Sequence, residues 1–121
     1  MKNFISIVEI PTADFARATA FYQSILGIRI EEMDMEGIKM GLFPSADGGI
    51  SIQLIKGKDY KPSADGVLVY LNADDDLQKV ADKIVASGGK ILMPKTEIPE
   101  MGYYAMFRDS EGNRMGLYGS K

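Results

Sequence analysis

The chain repeats itself. Val8-Glu9-Ile10-Pro11-Thr12-Ala13-Asp14 and Val69-Tyr70-Leu71-Asn72-Ala73-Asp74-Asp75 each read as a strand running into an acidic helix start. The spacing is constant: 61 positions separate Val8 from Val69, and 61 separate Gly27 from Gly88. A repeat of this kind limits the fold to two copies of one supersecondary unit, each with an apolar face to bury.

Within each half the periodicity gives the unit. Phe15, Ala18, Phe21, Tyr22 and Ile25 recur at helical spacing, as do Leu77, Val80, Ala81, Ile84 and Val85. Asp14, and one of Asp74, Asp75 or Asp76, suit the helix start, where a carboxylate satisfies free N–H groups and complements the dipole. Gly27 and Gly88-Gly89 suit the helix ends. Strand-like stretches follow at 29–34, 38–43 and 50–56, then at 90–97, 103–108 and 114–118. Turn chemistry separates them at Glu36-Gly37, Asp47-Gly48-Gly49, Pro99–Gly102 and Asp109–Asn113. The expected chain is therefore one domain over 1–121, of class α+β. Module one covers about 1–56, a linker about 57–65, and module two about 66–121, each built as βαβββ.

Composition then removes chemistries. With no cysteine, disulfides, thiolate nucleophiles and sulfur-ligated metals are excluded. With no histidine, the commonest general base and most first-row metal sites go too. Only oxygen ligands are left, which favour calcium or magnesium. A net charge of −3, with lysines and arginines scattered along the sequence, argues against nucleic acid. No apolar run approaches the roughly 20 residues of a membrane helix, and Met1–Ile7 carries no leader pattern. A cytoplasmic protein without membrane contact is expected. Glu31-Glu32 reads as a solvated strand end.

Alternation sorts the strands into two faces. Val8, Ile10, Ile52, Leu54, Val69, Leu71, Met115 and Leu117 are wholly apolar and should pack under the helices. The opposite set, Ile7, Glu9, Ser51, Gln53, Leu68, Tyr70, Arg114, Gly116 and Tyr118, mixes apolar, polar and charged groups. Such a face meets solvent, a partner chain or a small molecule.

With these elements in place the chain resembles the vicinal oxygen chelate superfamily, which includes glyoxalase I, bleomycin resistance proteins and extradiol dioxygenases. The shared residues are Val8-Glu9-Ile10-Pro11 with Asp14, Arg17-Ala18 with Phe21-Tyr22, Leu26-Gly27, and Phe107, Asp109 and Glu111-Gly112-Asn113. The resemblance implies paired βαβββ modules whose mixed sheets curl into a cup, and commonly a homodimer. It also implies metal ligands at one slot on the first and last strand of each module. Those slots fall on Ile7, Gln53, Leu68 and Gly116, so no metal and no cofactor is expected.

The expected site is the cup, with Ile7, Glu9, Gln53, Leu68, Tyr70, Arg114, Gly116 and Tyr118 around a small, partly apolar molecule. Glu9 is the candidate catalytic residue, because burial there would raise its pKa towards that of a general base. Pairing with Arg114, Tyr70 or Tyr118 would instead make it structural. Arg114 could clamp an anion; Gln53 and Tyr70 could orient a ligand or satisfy each other. Met33, Met35, Met40, Met93, Met101, Met106 and Met115 are adaptable fillers of core or pocket. Tyr103-Tyr104 and Phe43 could form an aromatic wall, the strand parity around Met40 and Tyr104 being open. The stretch 94–102 reads as a flap or a long hairpin. Two functions follow: a metal-free binding protein of the sequestration or resistance type, or a metal-independent lyase or isomerase using Glu9.

Overall fold

A computed structural model describes residues 4–45, 49–73 and 76–121. Met1–Asn3, the turn residues Asp47 and Gly48, and the capping candidates Asp74 and Asp75 lie outside the described residues. The order is β1 (Ile7–Pro11), α1 (Phe15–Leu26), β2 (Glu31–Met35), β3 (Ile38–Leu42) and β4 (Ser51–Lys56). The second module follows as β5 (Tyr70–Asn72), α2 (Leu77–Ala86), β6 (Lys90–Ile98), β7 (Gly102–Arg108) and β8 (Arg114–Gly119). This is the repeated βαβββ plan.

Both helices begin and end as their sequences dictate. The Asp14 carboxylate accepts from the Arg17 N–H at 3.0 Å, and that of Asp76 from the Lys79 N–H at 3.1 Å. Each satisfies a donor that has no partner inside the helix. Past α2, the Gly89 N–H reaches back to the Ile84 carbonyl at 2.8 Å, with Gly88 between them at φ +99°. That is a Schellman closure, which requires a left-handed residue at the Gly88 position. Val85 departs from its expected role: it is exposed, because the buried stripe of α2 runs through Leu77, Ala81 and Ile84.

Each module forms its own four-stranded mixed sheet, ordered β1-β4-β3-β2 and β5-β8-β7-β6. The opening strand runs parallel to the closing strand in both, and the remaining pairs are antiparallel. No ladder joins the two sheets among the described residues, so the sheet is not closed. Register pairs Glu9 with Gln53 in the first and Tyr70 with Gly116 in the second. The helix-facing sides follow the alternation. Ile10, Leu54, Leu71, Met115 and Leu117 join Phe21, Tyr22, Leu77, Ile84 and Phe107 in a single core spanning both modules. Each such fully buried apolar side chain contributes on the order of 1.5–3 kcal/mol. Phe43 also belongs to this core, against Tyr22, so it forms no wall with the tyrosines of β7.

The modules are locked by a polar network from the turn between β7 and β8. Asp109 is buried, and its Oδ2 accepts from the Tyr22 hydroxyl at 2.6 Å and from Asn113 Nδ2 at 3.1 Å. Its Oδ1 accepts from the N–H groups of Glu111 and Asn113, both at 2.9 Å. Asn113 in turn donates to the Pro11 carbonyl at 2.8 Å and accepts from the Ser63 N–H at 3.0 Å. The Glu111 carboxylate accepts from the Ala13 and Asp14 N–H groups, at 2.8 and 2.6 Å, and pairs with Arg17 at 2.7 Å. The acidic turn of module two thus holds the start of α1 in module one. Burial, and then the charge of Asp109, push the Tyr22 hydroxyl well above its usual pKa. Desolvation pushes Glu111 up, but the hydrogen bonds from Arg17, Asp14, Ser110 and Ala13 together hold it below the usual carboxylate value. Arg17 is raised in return by its bond to Glu111.

Candidate ligand-binding face

On the face away from the helices, the register of module two sets side chains in rows about 7 Å apart, two residues of strand rise. Arg108 and Arg114 form one row, Met106, Gly116 and Tyr70 the next, and Tyr104 and Tyr118 the third. The Tyr70 ring packs directly against Gly116: a Cβ there would meet ring carbons at 2.4–2.9 Å. The missing side chain at Gly116 is therefore the seat of the ring. Tyr118 donates its hydroxyl to the Met101 carbonyl, tying the β6–β7 turn to the sheet. The stretch 94–102 is accordingly a hairpin. Tyr70, Ile98, Tyr104 and Tyr118 line an open depression of about 460 Å³. Tyr70 is 48% and Tyr118 42% exposed, so large ring surface faces outwards.

The same face of module one is different. Gln53 is buried and donates from Nε2 to Glu9 Oε2 at 3.0 Å. Ile7 stands exposed at the start of β1. Met40 pairs with Met33 and Ile55, and Leu42 with Gln53, so both belong to this face.

The expected site residues are thus divided. Ile7, Glu9 and Gln53 lie on the first sheet; Tyr70, Gly116, Tyr118 and Arg114 lie on the second. A crevice of about 140 Å³ between β1 and the segment leading into β5 brings Glu9, Leu68 and Arg114 to a common lining. Glu9 is exposed, not buried, and its hydrogen-bond partner is Gln53 rather than Arg114, Tyr70 or Tyr118. Its strand, β1, lies at the edge of its sheet and leaves the side chain open to solvent. Tyr70 likewise does not satisfy Gln53. Tyr104, a candidate for an aromatic wall whose face the sequence leaves open, completes the depression together with Ile98, which the sequence does not single out. The pairing of Tyr104 with Tyr118 across the hairpin was the available signal, obscured by open parity on β7.

The donor set does not fit the metal that the resemblance implies. Ile7, Leu68 and Gly116 offer no ligand atom, and Glu9 with Gln53 supplies too few oxygens for a hard cation. Among the described residues no three acidic side chains gather as a metal site would require. Nor is any helix there long and apolar enough to cross a membrane.

Comparison with known proteins agrees with this architecture. Residues 4–117 match the model of the Glyoxalase/Bleomycin resistance protein/Dioxygenase superfamily. The "Putative glyoxylase CFP32" of Mycobacterium tuberculosis is 27% identical over 121 residues, covering 92% of this chain and 43% of that protein. The chain therefore spans less than half the length of this relative. A glyoxylase-like domain-containing protein of Didymella fabae is 27% identical over 113 residues, covering 90% of this chain and 88% of its own. Among solved structures, the glyoxylase/bleomycin resistance protein/dioxygenase domain from Frankia sp. EAN1pec superposes with a TM-score of 0.77 at 16% identity, covering 100% of this chain and 93% of that one. Glyoxalase I from Zea mays superposes at 0.71 with 19% identity, covering 94% and 45%. At these identities the structures speak to fold alone.

Proposed function

Because the chain belongs to the Glyoxalase/Bleomycin resistance protein/Dioxygenase superfamily, we propose that it binds a small, partly apolar molecule without a metal. The site is the mixed face of module two. The carrying observation is the open depression lined by Tyr70, Ile98, Tyr104 and Tyr118. Three aromatic rings offer large, rigid contact surface at low entropic cost, and their hydroxyls keep the empty face wettable. Sequestration fits this chemistry better than turnover. A general base needs a nearby group to stabilise developing negative charge, and Glu9 is exposed and bonded to Gln53. Met33, Met35, Met40 and Leu42 on module one would face a second copy in a homodimer, with Ile7 at the rim.

Fluorescence titration with neutral 4-(1-pyrenyl)butanol tests the reading. Saturable one-to-one binding is expected, weakened about tenfold by Tyr104→Ala, the loss of one good aromatic contact. Unsaturable partition, or binding indifferent to Tyr104, would overturn it. Elemental analysis of protein purified without chelator tests the metal-free part; stoichiometric zinc, nickel or iron would remove it. Glu9→Gln is expected to leave pyrenylbutanol affinity unchanged.

A further inference from the structure

The chain is acidic overall and its basic residues look scattered, yet folding gathers three of them in a line. Lys90 on β6 is the register partner of Arg108 on β7, and Arg108 is the partner of Arg114 on β8. All three are exposed. Directly opposed positions on one sheet face hold their Cβ atoms about 5 Å apart, and like charges there are destabilising. None of the three has an ion-pair partner among the described residues, where the one such pair is Arg17 with Glu111. Two carboxylates lie nearby without closing to an ion pair: Asp65 lines the same surface depression as Arg108 and Arg114, and Glu9 shares the neighbouring crevice with Arg114. That depression, about 380 Å³, has Met93 and Met106 in its lining. Met106 in turn shares its row with Gly116, the seat of the Tyr70 ring.

Cation row, methionine row and tyrosine row therefore follow one another along β7 and β8, at intervals of about 7 Å. From this order we infer that the face selects a flat, apolar compound carrying a carboxylate or similar anion about 7–14 Å from its ring system. The anion lies between Arg108 and Arg114, with Lys90 adding charge from the edge. The flat body crosses Met106 and rests against Tyr70, Tyr104 and Tyr118. Arginine forks bind carboxylate with two parallel hydrogen bonds, and an arriving anion relieves the repulsion within the row. The inference rests on the binding reading above and adds the ligand's charge and polarity along the face.

The test uses 4-(1-pyrenyl)butyrate against 4-(1-pyrenyl)butanol, which share a body and differ in the anion. The acid is expected to bind about tenfold more tightly than the alcohol, an advantage that shrinks with added salt. Arg108→Gln combined with Arg114→Gln should erase that advantage, so that acid and alcohol bind the double variant equally. The double variant should fold normally, since it removes repulsion and no hydrogen bond between elements. Equal affinity of acid and alcohol, with the alcohol still dependent on Tyr104, would overturn the anion selectivity and leave the binding reading standing. Failure of both probes to bind would remove both.

Discussion

The two modules put opposite chemistry at the same station. Where the opening strand meets the closing strand, module one holds Glu9 beside Gln53, two polar groups hydrogen-bonded at 3.0 Å. Module two holds Tyr70 beside Gly116, a ring packed against bare backbone. The helix-facing residues one position away are alike: Ile10 and Leu54 in one, Leu71 and Leu117 in the other, all buried. A duplicated unit keeps the face that folds it and is free to change the face that does not. The modules also differ at their junction, where the closing turn of module two supplies Asp109, Glu111 and Asn113 to secure β1 and α1 of module one.

Breaking that junction should have the largest effect. Asp109→Ala takes the acceptor from the buried Tyr22 hydroxyl, from one N–H of the Asn113 amide and from the backbone N–H groups of Glu111 and Asn113. At about 1–3 kcal/mol for each stranded group, a loss of about 3 kcal/mol or more is expected in urea denaturation. A loss below 1 kcal/mol would mean that the shared apolar core alone holds the modules together.

Changing the station comes next. Gly116→Ala drives a methyl group into the Tyr70 ring, including its first carbon at 2.9 Å, so rotation of the ring tip cannot relieve the clash. Overpacking of this kind costs about 1–3 kcal/mol, and pyrenylbutanol affinity should fall with it. Gln53→Ala, at the matching place in module one, should cost about 1 kcal/mol for its hydrogen bond and leave the probe unaffected. Equal effects on probe binding would dissolve the distinction between the two faces.

These substitutions also separate what was legible in the sequence from what was not. The duplication, the capping aspartates and the helix-facing residues could be read because period and burial coincide: Ile10, Leu54, Leu71 and Leu117 each fall where alternation puts them. The motif from Asp109 to Asn113 was visible as a turn, but its reach to Tyr22 and Pro11 spans roughly 90–100 positions and leaves no local mark. Glu9 was misread because alternation assigns a face, not a depth, and an edge strand leaves that face open. Arg108 went unnoticed because its meaning lies in its pairing with Arg114 across a hairpin. Tyr104 stood out as an aromatic residue, but its face could not be assigned. Side-chain parity on β7 follows from the register, and a single residue of uncertainty in the turn reverses it.

The pH dependence sharpens the account of the junction. Glu111 has a lowered pKa in the fold, so its contribution is present above the unfolded value, about 4.3, and is lost as pH falls through the folded one. Tyr22 is raised in the fold, so its contribution is complete below about pH 10 and is lost as pH rises through the folded value. Glu111→Gln should cost about 1–1.5 kcal/mol at neutral pH, with the gap to the parent protein closing as the pH falls below the unfolded carboxylate value. A gap that stays constant across acid pH would show that the Arg17 bond carries none of the stability. Tyr22→Phe should likewise flatten the alkaline limb above pH 10.

The smallest expected change concerns a feature the modules share. Each hairpin that follows a helix turns through a glutamate at positive φ, Glu36 at +49° and Glu100 at +64°. Glu36 and Gly37 form the two-residue loop between paired Met35 and Ile38, which demands left-handed backbone at both positions. Glu100 follows Pro99 in a turn closed by the Met101 N–H to the Ile98 carbonyl at 2.8 Å, where a type II geometry favours glycine. A side chain at such positions costs about 1 kcal/mol or more; glycine relieves this while adding freedom to the unfolded chain. Glu36→Gly and Glu100→Gly should each stabilise by about 0.5 kcal/mol, and additively, since the two turns share no partner. The Glu100 turn also carries Ile98 into the tyrosine depression and is tied there by Tyr118. Relaxing it should therefore leave pyrenylbutanol affinity unchanged if the Tyr118 hydroxyl fixes the turn. A loss of affinity with Glu100→Gly alone would instead show that the strained backbone holds Ile98 in place.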